Sequence, residues 1–336
     1  MENERGDIRS QSIKYKKLQT LMYHINKETL IKEHQKQISN KASGIAEGKA
    51  EGRAEGIAEG KAEGKVEGKV EMAKSLKVAG VAGVQLYAAD SFDPRTASPE
   101  FIAEVKQTAT DCKQKVTALC CELGGYGLEK EADNPEKIEY LKKCADLAKE
   151  LDCPVLTTHL GVVPATKEDP TYQVLVNACK EIAAYAYPLG VTLAIETGPE
   201  NATLLRGFIE DCGDGVGVNF DPANFVMVGA DDEVNAVRIL GDKIVHTHAK
   251  DGKNVNKIAS ADFYHMFAEG GLEWMSKADI CVETPLGQGN VRWPEYLKAL
   301  KETGYDGYLT IEHEVEDKAD EIREAVDFLK KQMEVL

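Results

Sequence analysis

From Lys74 onward, seven short apolar runs alternate with stretches of helical period, and this alternation limits the fold more than any other feature. The runs are GVQLYA (83 to 88), KVTALCCEL (115 to 123), CPVLTTHLG (153 to 161), VTLAIET (191 to 197), VGVNFDPAN (216 to 224), KIVHTHAKD (243 to 251) and YLTIEHE (308 to 314). They are rich in β-branched residues and nearly continuous in apolar character, as strands buried on both faces must be. Between them, PEFIAEVKQTATDCKQ, PEKIEYLKKCADLAKEL, TYQVLVNACKEIAAYAYPLG and WPEYLKALKETGYDG read as helices that close near Gly, Asp or Pro. Parallel strands need a long crossover, and a helix supplies it, so the expected architecture is a parallel α/β sheet with right-handed connections. Closed on itself, such a sheet is a TIM-type (β/α)8 barrel. That barrel needs one strand more than the sequence offers. The stretch EMAKSLKVAG (71 to 80) reads as the last turns of the first barrel helix, and a repeat occupies the place of the strand before it.

The repeat runs from Ala46 to Glu71 with a period of four, AEGK AEGR AEGI AEGK AEGK VEGK VE. Each of its glycines costs about 1 kcal/mol relative to alanine inside a helix. Its glutamates stand four apart and repel mildly. A weak helix or a solvated linker is expected. The small residues would also let two such helices approach closely, coiled-coil fashion, which leaves room for a homo-oligomer. Residues 11 to 38 read as one or two amphipathic helices, with Leu18, Leu21, Met22 and Ile25 at helical spacing. The organisation expected is a helical segment over 1 to 45, the repeat over 46 to 71 and the barrel over 72 to 336. The N-terminal part resembles the C-terminal tail of nuclease-type transposases, which often end in such EGKAEG repeats. Only that tail is matched, so the resemblance implies no nuclease activity.

Composition narrows the function classes. With 336 residues, 43% of them hydrophobic, the chain can bury the core of one large domain. No apolar run reaches the length of a membrane span, and MENERGDIRSQSIKYKK lacks the apolar centre of a signal peptide, so a soluble, cytoplasmic protein without a membrane partner is expected. Eight cysteines include no CxxC pair and sit mostly in apolar runs, as reduced packing residues do. Residues 1 to 72 carry 14 Lys and Arg against 12 Asp and Glu, a net of +2, while the whole chain is −16, so the remainder stands at −18. So acidic a body repels phosphate backbones, and no nucleic-acid partner is expected.

Four of the apolar runs end on residues that can ligate a metal: Glu196, Asp221, His248 and Glu312. In a parallel barrel the carboxyl ends of the strands converge on one mouth, so the four would meet there. Two glutamates, one aspartate and one imidazole form an oxygen-rich set suited to Mn²⁺, Mg²⁺, Co²⁺ or Zn²⁺. Each has a plainer reading. Glu196 can be salt-bridged, and Asp221, before Pro222, can simply cap a helix, with Asn224 holding its second oxygen. His246 shares a face with His248 and reads as a hydrogen-bonded interior histidine. Lys250 continues that face toward the mouth, where it could meet a substrate oxygen. Glu314 shares a face with Glu312 and reads equally as a rim charge.

GVQLYAAD, LTTHLGVVP, AIETGPE, VNFDPAN, VHTHAKDG and PLGQGNVRWPEYLKALKETGYDGYLTIEHE together resemble the xylose isomerase-like family of sugar phosphate isomerases and epimerases, over residues 74 to 336. GYDGYLTIE is the most specific match. The resemblance implies one divalent metal held by Glu196, Asp221, His248 and Glu312. It also implies proton transfer through a metal-stabilised enediolate of a small sugar or sugar phosphate, with Glu196 and Glu312 as the catalytic pair. His159 would then hydrogen-bond a substrate oxygen, its plainer reading being a buried structural histidine, and Glu283 would line the mouth with Lys250. Three alternatives stand beside this. They are an inosose-type dehydratase on the same fold, an abasic-site endonuclease, which needs more histidine ligands, and an inactive fusion whose incomplete barrel exposes two edges.

Overall fold

The computed structural model describes residues 81 to 256, 259 to 266, 268, 269, 280 to 312 and 319 to 336. The chain divides into two units, and the one formed by residues 82 to 313 with 320 to 336 carries the strands and helices below. The transposase-like tail, the repeat, EMAKSLKVAG and Glu314 lie outside the described residues.

All seven apolar runs form strands: β1 (Gly83–Tyr87), β2 (Lys115–Cys120), β3 (Val155–Thr158), β4 (Thr192–Glu196), β5 (Val216–Phe220), β6 (Ile244–Ala249) and, after a separate hairpin, β9 (Leu309–Ile311). They make one sheet in the order β1-β2-β3-β4-β5-β6-β9, and every pairing is parallel. The helices between them are α1 (Pro99–Asp111), α2 (Asn134–Glu150), α3 (Pro170–Ala186), α4 (Ala202–Cys212), α5 (Pro222–Val228), α6 (Glu233–Leu240) and α7 (Trp293–Glu302), and α8 (Ala319–Met333) ends the chain. This is the alternation of a TIM barrel lacking one strand. Among the described residues, no strand lies between the edges β1 and β9, which approach closely enough that a Cβ on Gly83 would meet the Tyr308 ring at 3.3 Å.

Short polar residues at the turns set where each helix begins. Ser98, Asp169 and Asn201 each accept a hydrogen bond from a backbone N–H of the helix they precede, at 3.2, 2.9 and 2.9 Å. In the first two a proline follows, pre-set to the helical φ and lacking an N–H that would go unpaired.

The strands are buried on both faces, as their unbroken apolar character demands. Leu119, Leu156, Leu193, Ile195, Val218 and Phe220 pack outward into the main core against the helices. Ala118, Val155 and Ala194, each next in sequence to one of those, form a separate cluster with Val245 on the barrel's inner side. Small residues suit that narrow interior. A register shift between β5 and β6 pairs Val218 with Ile244 but Asn219 with His246, leaving Val245 as an extra residue. Such a bulge re-aims the side chains that follow it, and His246 and His248 turn inward together.

An antiparallel hairpin, β7 (Asp251–Asn254) with β8 (Cys281–Thr284), follows β6 directly. The sequence alone did not point to it, nor to helices α4, α6 and α8, whereas α5 begins where Asp221 offered a cap. Seven of the eight cysteines are buried as expected, and Cys281, on the hairpin, is partly exposed. No helix among the described residues is long and apolar enough to cross a membrane.

Candidate metal centre

Glu196 is the last residue of β4, and burial leaves it 7% exposed. A carboxylate so placed needs partners. Its Oε2 accepts from Asn219 Nδ2 at 3.1 Å and its Oε1 from Asn224 Nδ2 at 3.2 Å. Asp221 lies one residue beyond β5, where Pro222 stops the strand and starts α5. Its Oδ1 caps that helix, accepting from the Ala223 and Asn224 N–H groups at 2.7 and 3.2 Å. Thr197 ties the two strand ends together, donating its hydroxyl to Asp221 O at 3.0 Å and accepting from Asp221 N at 2.7 Å. The Asn224 side chain was expected on Asp221's second oxygen. It turns instead to Glu196 and Thr197, because the capping geometry sends its backbone N–H, not its amide, toward the aspartate.

Asp221 Oδ2 is thereby left buried without a hydrogen-bond partner, and so is His248 Nδ1. The two atoms face each other at 3.6 Å. Glu196 Oε1 stands 3.6 Å from the same nitrogen and Glu312 Oε2, from just beyond β9, 3.1 Å from it. One ligand atom from each of Glu196, Asp221, His248 and Glu312 lies within 4.8 Å of all the others. Unpaired buried polar atoms are costly, and here they converge on one point. Three carboxylate oxygens and an imidazole nitrogen are the donor set of a hard or borderline divalent cation, so the cluster could hold a metal.

The electrostatics agree. Burial pulls the His248 imidazole toward neutrality, but Glu312 and Glu196 outweigh it and hold its pKa well above the ordinary value. Burial pushes the Asp221 carboxyl up, the nearby His248 ring only partly opposing it. Burial also opposes ionisation of Glu312, yet His248 and Lys250 bring it down to about 2. The site is therefore short of positive charge, which a proton on His248 or a bound cation can supply.

Around the cluster, Lys250 Nζ lies 3.3 Å from Glu312 Oε2 and 3.6 Å from Glu283 Oε2. His159 Nε2 lies 3.4 Å from Glu196 Oε1, with 43% of its side chain exposed, so it is not the buried structural histidine of its plainer reading. Loss of part of its surrounding water lowers its pKa, but the Glu196 charge and hydrogen bond raise it to about 9. His246 is the interior histidine expected: its Nδ1 pairs with Asn219 Oδ1 at 2.8 Å and its Nε2 with Thr310 Oγ1 at 2.9 Å.

Other neighbours went unread in the sequence. Asn219 sits two residues before Asp221 on the same strand face, a spacing that could have revealed it. The Tyr264 ring lies tilted at 50° to His159, ring centroids 6.3 Å apart, and fits because Gly198 has no Cβ; one built there would lie 2.9 Å from the Tyr264 hydroxyl oxygen. Glu200 is buried and accepts from the Val163 N–H at 2.7 Å. Asp251, at the start of the hairpin, accepts from Gly252, Val291, Gly287 and Gly289 N–H groups and from Trp293 Nε1, at 2.8 to 3.1 Å.

Known proteins agree with this architecture. An uncharacterized protein of Methanocaldococcus jannaschii is 26% identical over 214 residues, 59% of this chain, and the chain spans only 63% of that relative's length. A xylose isomerase domain protein from Planctomyces limnophilus is 25% identical, with a TM-score of 0.66 over 78% of this chain and 91% of its own. An L-ribulose 3-epimerase (TM-score 0.61, 19% identity, 79% and 89% covered) and a probable 3-DHS dehydratase from Bacillus anthracis (0.61, 18%, 77% and 92%) share the fold. The family model described as the xylose isomerase-like TIM barrel matches residues 73 to 332, which is most of the chain, and the chain belongs to that family.

Proposed function

We propose that this chain is a metal-dependent isomerase or epimerase of small sugars or sugar phosphates, with Glu196, Asp221, His248 and Glu312 as metal ligands. The observation that carries the reading is the convergence of two orphaned buried atoms, Asp221 Oδ2 and His248 Nδ1, with Glu196 and Glu312 on one point at the strand ends. When bound there, a divalent cation would polarise the carbonyl and neighbouring hydroxyl of a ketose and offset the charge of an enediolate.

The chain's own residues account for the proton traffic. A carboxylate of Glu196 or Glu312 takes the proton from the carbon beside the carbonyl, giving an enediolate. Return of a proton to the opposite face of the same carbon inverts it, which is epimerisation. Return to the neighbouring carbon moves the carbonyl, which is isomerisation. Each carboxylate has a cationic or proton-bearing neighbour, His159 for Glu196 and Lys250 for Glu312, and those two with Glu283 are the residues assigned to hold substrate oxygens.

A screen of ketoses and ketose phosphates with Mn²⁺ in D₂O tests this. Wild-type protein is expected to exchange a carbon-bound hydrogen for deuterium, and Glu196→Gln and Glu312→Gln should each lower the rate at least 100-fold, the scale of a general base. Exchange that persists in both variants would refute the assignment. Loss of water from an inosose in the same assay would move the reading to a dehydratase.

A further inference from the structure

An imidazole ligates a metal through one nitrogen, and what holds the other nitrogen decides which tautomer is present and where the ring points. His248 aims Nδ1 at Glu196, Asp221 and Glu312. A ring that keeps Nδ1 bare for a metal carries its one hydrogen on Nε2. Two groups lie within reach of Nε2. Asn219 Nδ2, at 3.3 Å, is a donor and cannot accept that hydrogen; one of its two N–H groups goes to Glu196 Oε2 at 3.1 Å. Asn219's oxygen is taken by His246. The remaining group is Gln85 Oε1 at 3.2 Å, the one acceptor for that hydrogen among the described residues.

Gln85 does not come from the strands that carry the ligands. It lies on β1, one edge of the sheet, whereas His248 lies on β6, one strand in from the other edge, so this hydrogen bond spans the seam of the barrel. Its position on β1 is set by the register shift that pairs Gln85 with Ala118 after Val84 pairs with Val116, which aims the amide inward. We propose that Gln85 is a positioning residue: by accepting the Nε2 hydrogen across the seam, it holds His248 with Nδ1 open to the cation. For its purpose the inference rests on the metal reading above. It also gives the seven-stranded arrangement a role, since the edge strand β1 is tied across the seam to β6 by a contact that the site itself needs.

Gln85→Met keeps the length of the side chain but has no comparable acceptor, and Gln85→Glu keeps the acceptor. Mn²⁺ alone would be titrated into the full-length chain and both variants and followed by electron paramagnetic resonance, with melting temperatures recorded without metal. Gln85→Met should bind Mn²⁺ about 10- to 100-fold more weakly than wild type, the usual effect of losing such a partner, while Gln85→Glu should bind at least as tightly as wild type. Equal binding by wild type and Gln85→Met, or equally weak binding by Met and Glu variants that both fold, would overturn the proposal. A ¹⁵N spectrum of histidine-labelled, metal-free wild type decides it independently of any variant. A hydrogen on His248 Nε2 supports the proposal, and a bare Nε2 overturns it. Should wild type take up no Mn²⁺, the metal reading fails, and the spectrum still decides which tautomer Gln85 selects.

Discussion

Glu200 shows how a single buried group sets a measurable property. Burial pushes its carboxyl up from 4.5 to about 7, with the Val163 N–H, its own backbone N–H and the His159 charge pulling the other way. The folded chain thus holds this proton over a pH range in which the unfolded chain has lost it. The stability it contributes is present below about pH 4.5 and is lost as pH rises through about 7. At about 1.4 kcal/mol per pH unit this amounts to roughly 3 kcal/mol. Denaturant titrations at pH 5 and pH 8 should show wild type losing more stability over that interval than Glu200→Gln, and identical losses would contradict it. Cysteine chemistry gives a second check at this scale. Cys120, Cys121 and Cys179 are enclosed and their thiols pushed well up, chiefly by burial, with the neighbouring Cys212 hydrogen bond leading for Cys179. Thiolates are the reactive form, so a thiol reagent should modify Cys281 first in the folded chain and all eight only in denaturant.

Among the elements, Asp251 and Asp221 each tie a turn to the barrel. Asp251 gathers five N–H donors, one from Gly252 beside it on β7 and four from residues 287 to 293, which lead from the hairpin into α7. Gly289 must be glycine for this, because a Cβ there would stand 1.9 Å from Asp251 Oδ1. Removing a buried charged acceptor strands all of its donors. Asp251→Ala should therefore cost at least about 3 kcal/mol in a denaturation experiment, well above the effect of an exposed substitution. If Glu283 on the hairpin holds substrate as proposed, the same change should also weaken substrate binding more than it slows turnover. Asp221 does two jobs with its two oxygens, Oδ1 capping α5 and Oδ2 facing His248. Asp221→Asn keeps an oxygen for the cap and loses the charge, so it separates helix stability from metal affinity.

For the molecule as a whole, the proposed ligand set would couple the folding of distant strands to a cation. Glu196, Asp221, His248 and Glu312 stand on or just beyond β4, β5, β6 and β9, and only the folded chain brings them together. A ligand that binds the native state alone stabilises it by mass action, about 2.7 kcal/mol at a concentration a hundredfold above its Kd. Millimolar Mn²⁺ should accordingly raise the melting temperature of wild type by several degrees and leave Asp221→Asn unmoved. No rise in wild type would count against a metal site. A cooperative transition in metal-free protein would meet the concern that an open seam prevents folding.

The strands, the parallel order and the four strand-end residues were legible in the sequence because burial on both faces writes itself as an unbroken apolar run, and a polar residue closing such a run is conspicuous. His246 and His248 were readable as sharing a face from the two-residue strand period. The sequence could not show Gln85 meeting His248, Asn224 turning to Glu196, or Tyr264 settling beside His159. Those contacts join residues 163, 28 and 105 positions apart, and no local period connects them. Nor could it foresee the Val245 bulge, which depends on how β5 and β6 slide into register. Sequence by itself determined which side chains arrive at the mouth of the barrel. Only the tertiary structure decided which atoms of those side chains are already spent on hydrogen bonds and which are left facing one another, because that depends on partners delivered by other strands.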